Sequence, residues 1–297
     1  MSQIITLEKD GLVARIDTKG AQLVGLALDG REALWQADPT WWGKSSPVLF
    51  PQVGTPGYDR LQSASGPCSV PKHGFARDFE HAVVEVSEDG SSVTFELRDD
   101  ERTRAMYPYG FVFNMTYAIT GPATLTQTFK VTNTGDAPMP FSVGGHPAFN
   151  VPAPGSEGEA FEDYELRFAE RWTADSPKMI EGGVMSNADP FHVVVDTDTV
   201  PITRDLFEYD TVVLRDVPGS VVDLVGTKSG HGVRVEFPGF DFVGIWSAAP
   251  AAPFVAIEPW TGHAALDTED DVFEHRDNVT ILAPGGVDER SFSMTVL

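Results

Sequence analysis

A period of two in the apolar residues is the feature that most limits what this chain can fold into. In FVFNMTYAIT the apolar positions are Phe111, Phe113, Met115, Tyr117 and Ile119, and much of the other parity is polar. GVRVEFP alternates Val233, Val235 and Phe237 with Arg234 and Glu236, and VTFEL repeats the pattern with Val93, Phe95 and Leu97. Successive side chains of a strand point to opposite faces, so this alternation marks strands with one face on a core. Turn signals punctuate them at Asp29-Gly30, Asp89-Gly90, near Gly135 and at Pro218-Gly219. No segment carries a helical repeat of a dozen residues, and only DPTWWG and TRDLFEYD suggest short helical turns. The prediction is therefore all-β: a large antiparallel β-sandwich forming a single domain over residues 1–297.

Charge narrows the partners. Lys plus Arg is 21 against 44 Asp plus Glu, a net charge of −23. Such a field repels phosphate backbones and anionic lipid, which argues against nucleic-acid and membrane partners. The densest acidic run, EGEAFEDYE, carries five carboxylates between Glu157 and Glu165 and reads as a solvated loop. The single cysteine, Cys68, allows no intramolecular disulfide and no cysteine metal cluster, which suits a reducing cytoplasm. The first residues lack a basic stretch followed by an apolar run, so a soluble, cytoplasmic protein is expected.

Four segments break the alternation and concentrate unusual residues: WWGKSSPVLFPQVG, PKHGFARDFEHAV, SVGGHPAFNVP and GIWSAAPAAPFVAIEPWTG. Each joins an apolar run to Gly or Pro with a titratable group at the junction, namely Lys44, His73, His146 and Glu258. Strand ends and loops on a rigid sandwich are where pocket residues usually sit. A lone histidine beside glycines also serves as a structural hydrogen bonder, and each group has that alternative. Glu258 lies within FVAIEPW, where a carboxylate is poorly solvated and its proton affinity open to tuning. Trp41, Trp42, Phe75, Phe149, Trp246 and Trp260 fall in or beside the same segments. Flat apolar faces near imidazoles and carboxylates suit a sugar, with its C–H patches and rim of hydroxyls. Metal-ligand spacing is absent, as are G-x-G-x-x-G, P-loop and G-x-S-x-G motifs.

Taken in order, SSPVLFPQVG, HGFAR, GGHPAFN, LFEYDTVVL and GIWSAAPAAPFVAIEPWTG resemble the aldose 1-epimerase (galactose mutarotase) family, in particular its LacX-like branch. They run from about Trp41 to Gly262. The resemblance implies a galactose mutarotase-like supersandwich that interconverts the α and β anomers of an aldose without cofactor or metal, as a monomer or homodimer. By the same resemblance Glu258 is the general base at O1, His146 the general acid at the ring oxygen, and His73 an assisting hydrogen bonder. Arg77, Asp210, Lys44, Trp246 and Asn150 are the expected substrate contacts. Lys44 stands where many relatives carry an arginine, which replaces a bidentate fork by a point charge; Arg60 in the following loop is a candidate to compensate. The Gly-Gly pair before His146 is expected to let the backbone pass close to the sugar.

Two further functions remain open on these residues. A hexose-6-phosphate epimerase would draw on Lys44, Arg60, Lys72 and Arg77, against the net charge. A non-catalytic sugar-binding sensor would use the same sandwich, but would not need both an acid and a base.

Overall fold

A computed structural model describes residues 2–57, 61–248 and 250–297. Arg60 lies outside the described residues. Two large antiparallel sheets dominate, as the alternation requires. A nine-stranded sheet has at its centre the strands Phe111–Gly121, Thr124–Asn133 and Val287–Val296, and ends in the long hairpin Tyr164–Met179 and Met185–Pro201. Phe111, Phe113, Met115 and Tyr117 face inward and are fully buried, while Asn114, Thr116 and Ala118 face the other way.

The second large sheet has six strands. Val212–Arg215, Phe242–Trp246, Phe254–Trp260, Gly144–Gly145 and Val48–Leu49 follow one another, and Ala148–Asn150 pairs with Phe254–Trp260 as well. Val243, Ile245, Val255 and Ile257 point from it into the main core, which spans both sheets and stacks Phe50 on Phe113 with ring centroids 4.4 Å apart. A four-stranded meander, built on Leu12–Asp17 and Gln22–Leu28, closes one side.

Helix is confined to short pieces. Glu101–Met106 is an α-helix whose N-cap, Asp100, accepts from the amides of Arg102 and Thr103. TRDLFEYD does form a helical turn, a 3₁₀ segment over Arg204–Phe207. The acidic run keeps its carboxylates exposed or half-buried, as expected of a solvated segment, but is tied down at one point. Glu159 accepts from the amides of Lys228 and Ser229 at 2.8 and 3.1 Å and from the Ser229 hydroxyl at 2.6 Å. The amides of that turn need acceptors, and a carboxylate is a strong one.

Candidate active site

Strand register explains why His146 and Glu258 meet. Gly144 pairs with Trp260 and Ala148 pairs with Ala256, two pairings in one register, so position 146 falls opposite position 258. Opposed residues of antiparallel strands project on the same face with Cβ atoms roughly 4.5–5.5 Å apart. Pro147 has no amide to give, so the ladder is interrupted there, and its carbonyl accepts from the Ile257 amide at 3.1 Å. The result is a contact of 3.2 Å between His146 Nε2 and Glu258 Oε2, with side chains only 9% and 1% exposed.

Glycines shape the floor. A Cβ on Gly144 would lie 2.6 Å from the Trp260 ring, and one on Gly244 would lie 2.5 Å from its far edge. A Cβ on Gly145 would come within 2.6 Å of the Phe292 ring. The Gly-Gly pair therefore admits two aromatic rings against the backbone. Trp260 fills the space so left and lines the cleft.

The second histidine arrives from a separate segment. His73 and Gly74 both have positive φ, and a Cβ on Gly74 would lie 2.0 Å from the Phe50 carbonyl oxygen, so only glycine fits there. The His73 amide donates to the Gly54 carbonyl at 2.7 Å, and the Gly54 amide donates back to His73 Nδ1 at 3.2 Å. Because Nδ1 accepts, the neutral ring carries its proton on Nε2. Burial holds the His73 pKa well below 6.5, and His146, Lys72 and Arg77 push the same way. His73 is thus a neutral hydrogen-bond donor, with its ring 5.8 Å from that of His146.

These residues line one cleft of about 260 Å³, partly open to solvent, just below the usual range of about 300–1,000 Å³ for small-molecule sites. Arg77, Asp210 and Trp246 share its walls, as the sequence led one to expect, and so do Lys72, Trp42 and Thr211. Asp210 accepts from the Trp246 indole N–H at 2.7 Å, which ties its carboxylate to the aromatic wall. Arg77 donates to the Lys72 carbonyl at 2.7 Å and lies 3.9 Å from Asp78. Two expected contacts sit elsewhere. Asn150 donates to the carbonyls of Glu32 and Leu34, at 2.9 and 3.1 Å, and so joins two backbone segments. Lys44 pairs with Asp78 at 3.7 Å and is not on the cleft wall. The signal for Lys72 and Trp42 was present in their position beside His73 and Lys44, but only the fold shows which side chains turn inward. Among the described residues no group of three or more His, Cys, Asp or Glu is arranged to hold a metal ion, and no helix is long and apolar enough to cross a membrane.

Burial sets the protonation of the pair. It pushes His146 down to about 3, with Arg77, Lys72 and Lys44 adding to the effect. It also raises Glu258 well above the usual carboxylate range; Asp210 adds to this, whereas Lys72 and the nearby Trp260 indole oppose it. Both groups rest neutral, His146 without and Glu258 with its proton. Their contact falls short of hydrogen-bond geometry, and Glu258 Oε2 and His146 Nδ1 have no other partner. Catalytic contacts often tighten only when substrate arrives.

Known proteins share this arrangement of chain. A model of the family described as aldose 1-epimerase matches residues 3–272. The chain belongs to the aldose 1-epimerase family. Two LacX proteins of Lactococcus lactis subsp. lactis, chromosomal and plasmid, are each 34% identical over 301 residues covering 99% of both chains. Among solved structures, a galactose mutarotase related enzyme from Lactobacillus acidophilus superposes with a TM-score of 0.91 at 32% identity, covering 99% of this chain and 97% of that one. A galactose mutarotase-like protein from Lactobacillus casei gives 0.88 at 27% identity, covering 99% and 100%. The family resemblance and the antiparallel sandwich read from sequence are both borne out, and family and fold support a mutarotase-type function.

Proposed function

We propose that the protein is an aldose 1-epimerase acting on a free hexose such as galactose or glucose, with Glu258 and His146 as its acid–base pair. The observation that carries this is the buried 3.2 Å contact between them at the head of an aromatic-walled cleft. Anomerisation needs proton exchange at two oxygens on a single carbon, O1 and the ring oxygen O5, and two groups this close address both at once. Moving the shared proton from Glu258 Oε2 to His146 Nε2 makes a carboxylate and an imidazolium. The carboxylate then takes the proton from O1 while the imidazolium gives its proton to O5. The C1–O5 bond breaks with its electron pair going to O5, and O1 becomes the aldehyde oxygen. Rotation about C1–C2 and the reverse transfers close the ring to either anomer.

Ring opening returns the pair to its neutral state. Burial, which favours the neutral forms, makes the carboxylate–imidazolium pair a high-energy state that ring opening relieves. His73, a donor through Nε2, fits hydrogen bonding to the sugar and polarisation of O5. Asp210 and Arg77 suit its hydroxyls, and Trp246 its C–H face. The reading treats the chain as one domain, supported by a main core that draws on residues from Leu7 to Met294.

Polarimetry on freshly dissolved α-D-glucose and α-D-galactose tests the proposal. The wild type should speed the approach to the same anomeric equilibrium, and His146→Ala should lower kcat by roughly 10²–10⁴. An effect confined to KM would make His146 a binding residue instead. A second reading, a hexose-6-phosphate epimerase, is favoured by one observation: Lys72 and Arg77 stand on the cleft wall of a strongly acidic chain. It would show as turnover of glucose 6-phosphate that exceeds that of glucose. Binding of these sugars with no acceleration would point to the sensor.

A further inference from the structure

The sequence placed Trp42 among several aromatic residues suited to a sugar's face; its position in the fold suggests a more specific task. The indole of Trp42 stacks on the His146 imidazole with centroids 4.7 Å apart and planes 25° from parallel. Trp246 closes on the same imidazole edge-on at 5.6 Å, and Trp42 and Trp246 meet at 5.4 Å. Trp35 and Phe254, 4.8 Å from one another, hold this group from behind. The π face of an indole attracts a cation placed over it, more strongly where water is excluded. A neutral imidazole gains no such term.

Trp42 is held there largely through its main chain. The Trp42 amide donates to the Asp38 carbonyl at 3.0 Å, and its own carbonyl accepts from the Trp35 indole at 2.9 Å. Neither bond uses the Trp42 side chain, so the indole can be replaced while the loop keeps its anchors.

Every other charge around His146 is accounted for. Glu258 faces it from the opposed strand, and Asp210 stands across the cleft behind Trp246. His73, Lys72 and Arg77 approach from the 72–77 segment, and Lys44 from the loop that carries Trp42. The three cations among them oppose an imidazolium. Stabilisation of the charged ring comes from its own main chain, from the carboxylates of Glu258 and Asp210, and from the aromatic face.

We propose that Trp42 is a positioning residue for the acid: its indole face holds the His146 ring in the plane that aims Nε2 at Glu258 and stabilises the protonated ring that must form before the sugar opens. This rests on the acid role proposed for His146. Trp42 acts through the histidine and completes a balance of opposed effects. Lys72 and the Trp260 indole favour the carboxylate form of Glu258, and the Trp42 face favours the imidazolium on the other side.

The test compares wild type, Trp42→Phe and Trp42→Leu by two measurements. The first follows the His146 ring by NMR in the absence of sugar. Loss of a desolvated cation–π contact corresponds to about one pKa unit, so the midpoint of protonation should move acidward by about that much in Trp42→Leu and by less in Trp42→Phe. The second is mutarotation of α-D-glucose or α-D-galactose, where kcat should fall about tenfold in Trp42→Leu, with partial rescue in Trp42→Phe and a smaller change in KM. A His146 titration that does not move in Trp42→Leu overturns the inference, whatever the rates. A titration that moves while His146→Ala keeps full turnover would instead refute the acid role and leave the stacking effect standing.

Discussion

Glu258→Gln should separate activity from stability. Glutamine has nearly the shape of the protonated glutamic acid that the buried site prefers, so it leaves Trp260, Gly244 and the strand register undisturbed. What it removes is the ability to take a proton from O1. General base catalysis contributes roughly 10²–10⁴-fold, equivalent to about 3–5 kcal/mol on the barrier. Turnover should fall by that factor while sugar binding persists. Stability should move the other way. Burial raises the folded-state pKa of Glu258 above its unfolded value. Such a group supports folding fully below the unfolded pKa, and its contribution is lost as pH rises through the folded one. At pH 8 the wild type therefore bears the cost of a buried carboxyl that the unfolded chain would ionise freely, and glutamine does not. Urea denaturation at pH 5 and pH 8, alongside polarimetry on the same samples, reads both effects. The variant should gain stability relative to wild type between those pH values. A variant with undiminished turnover refutes the base assignment. One whose relative stability falls from pH 5 to pH 8 refutes the account of burial.

Three further outcomes follow from the same geometry. His146 has a folded-state pKa depressed to about 3, so its contribution to stability is present above pH 6.5 and lost as pH falls toward 3. The urea midpoint of His146→Gln should consequently vary less than that of wild type between pH 7 and pH 4, and an equal slope would contradict the burial effect. Gly74→Ala would force a side chain at φ +73 against the Phe50 carbonyl; strain alone costs about 1–3 kcal/mol, and thermal melting should register the loss together with reduced turnover as His73 shifts. Asn150→Ala should cost about 1 kcal/mol, because the carbonyls of Glu32 and Leu34 lose a half-buried donor. Its kcat should stay at the wild-type value, and a large drop would return Asn150 to the substrate contacts.

The sandwich was legible in the sequence because strand formation with one buried face writes itself directly into alternation: from Phe113 to Ile119 the odd positions are apolar and buried and the even ones are half-buried. The titratable residues of the cleft were also visible, since Glu258 within FVAIEPW and His146 between Gly and Pro are placements that ordinary core or surface positions do not favour. Their partnership was not visible. Residues 146 and 258 are opposed only because two short strands on either side of His146 pair in one register with a single distant strand, and long-range register leaves no local signature. The same holds for the residues that moved. Asn150 follows the motif histidine closely in sequence, yet it lies farther along the strand, opposite Phe254, and its amide donates to the carbonyls of Glu32 and Leu34. Lys44 adjoins the cleft loop but swings to Asp78. Local pattern determined that the chain is a β-sandwich and which residue types are available for chemistry. Tertiary structure alone decided which of them share one cavity, which nitrogen of His73 carries the proton, and that Trp42 lies over His146, because each depends on contacts between segments that come together only when the sheets pack.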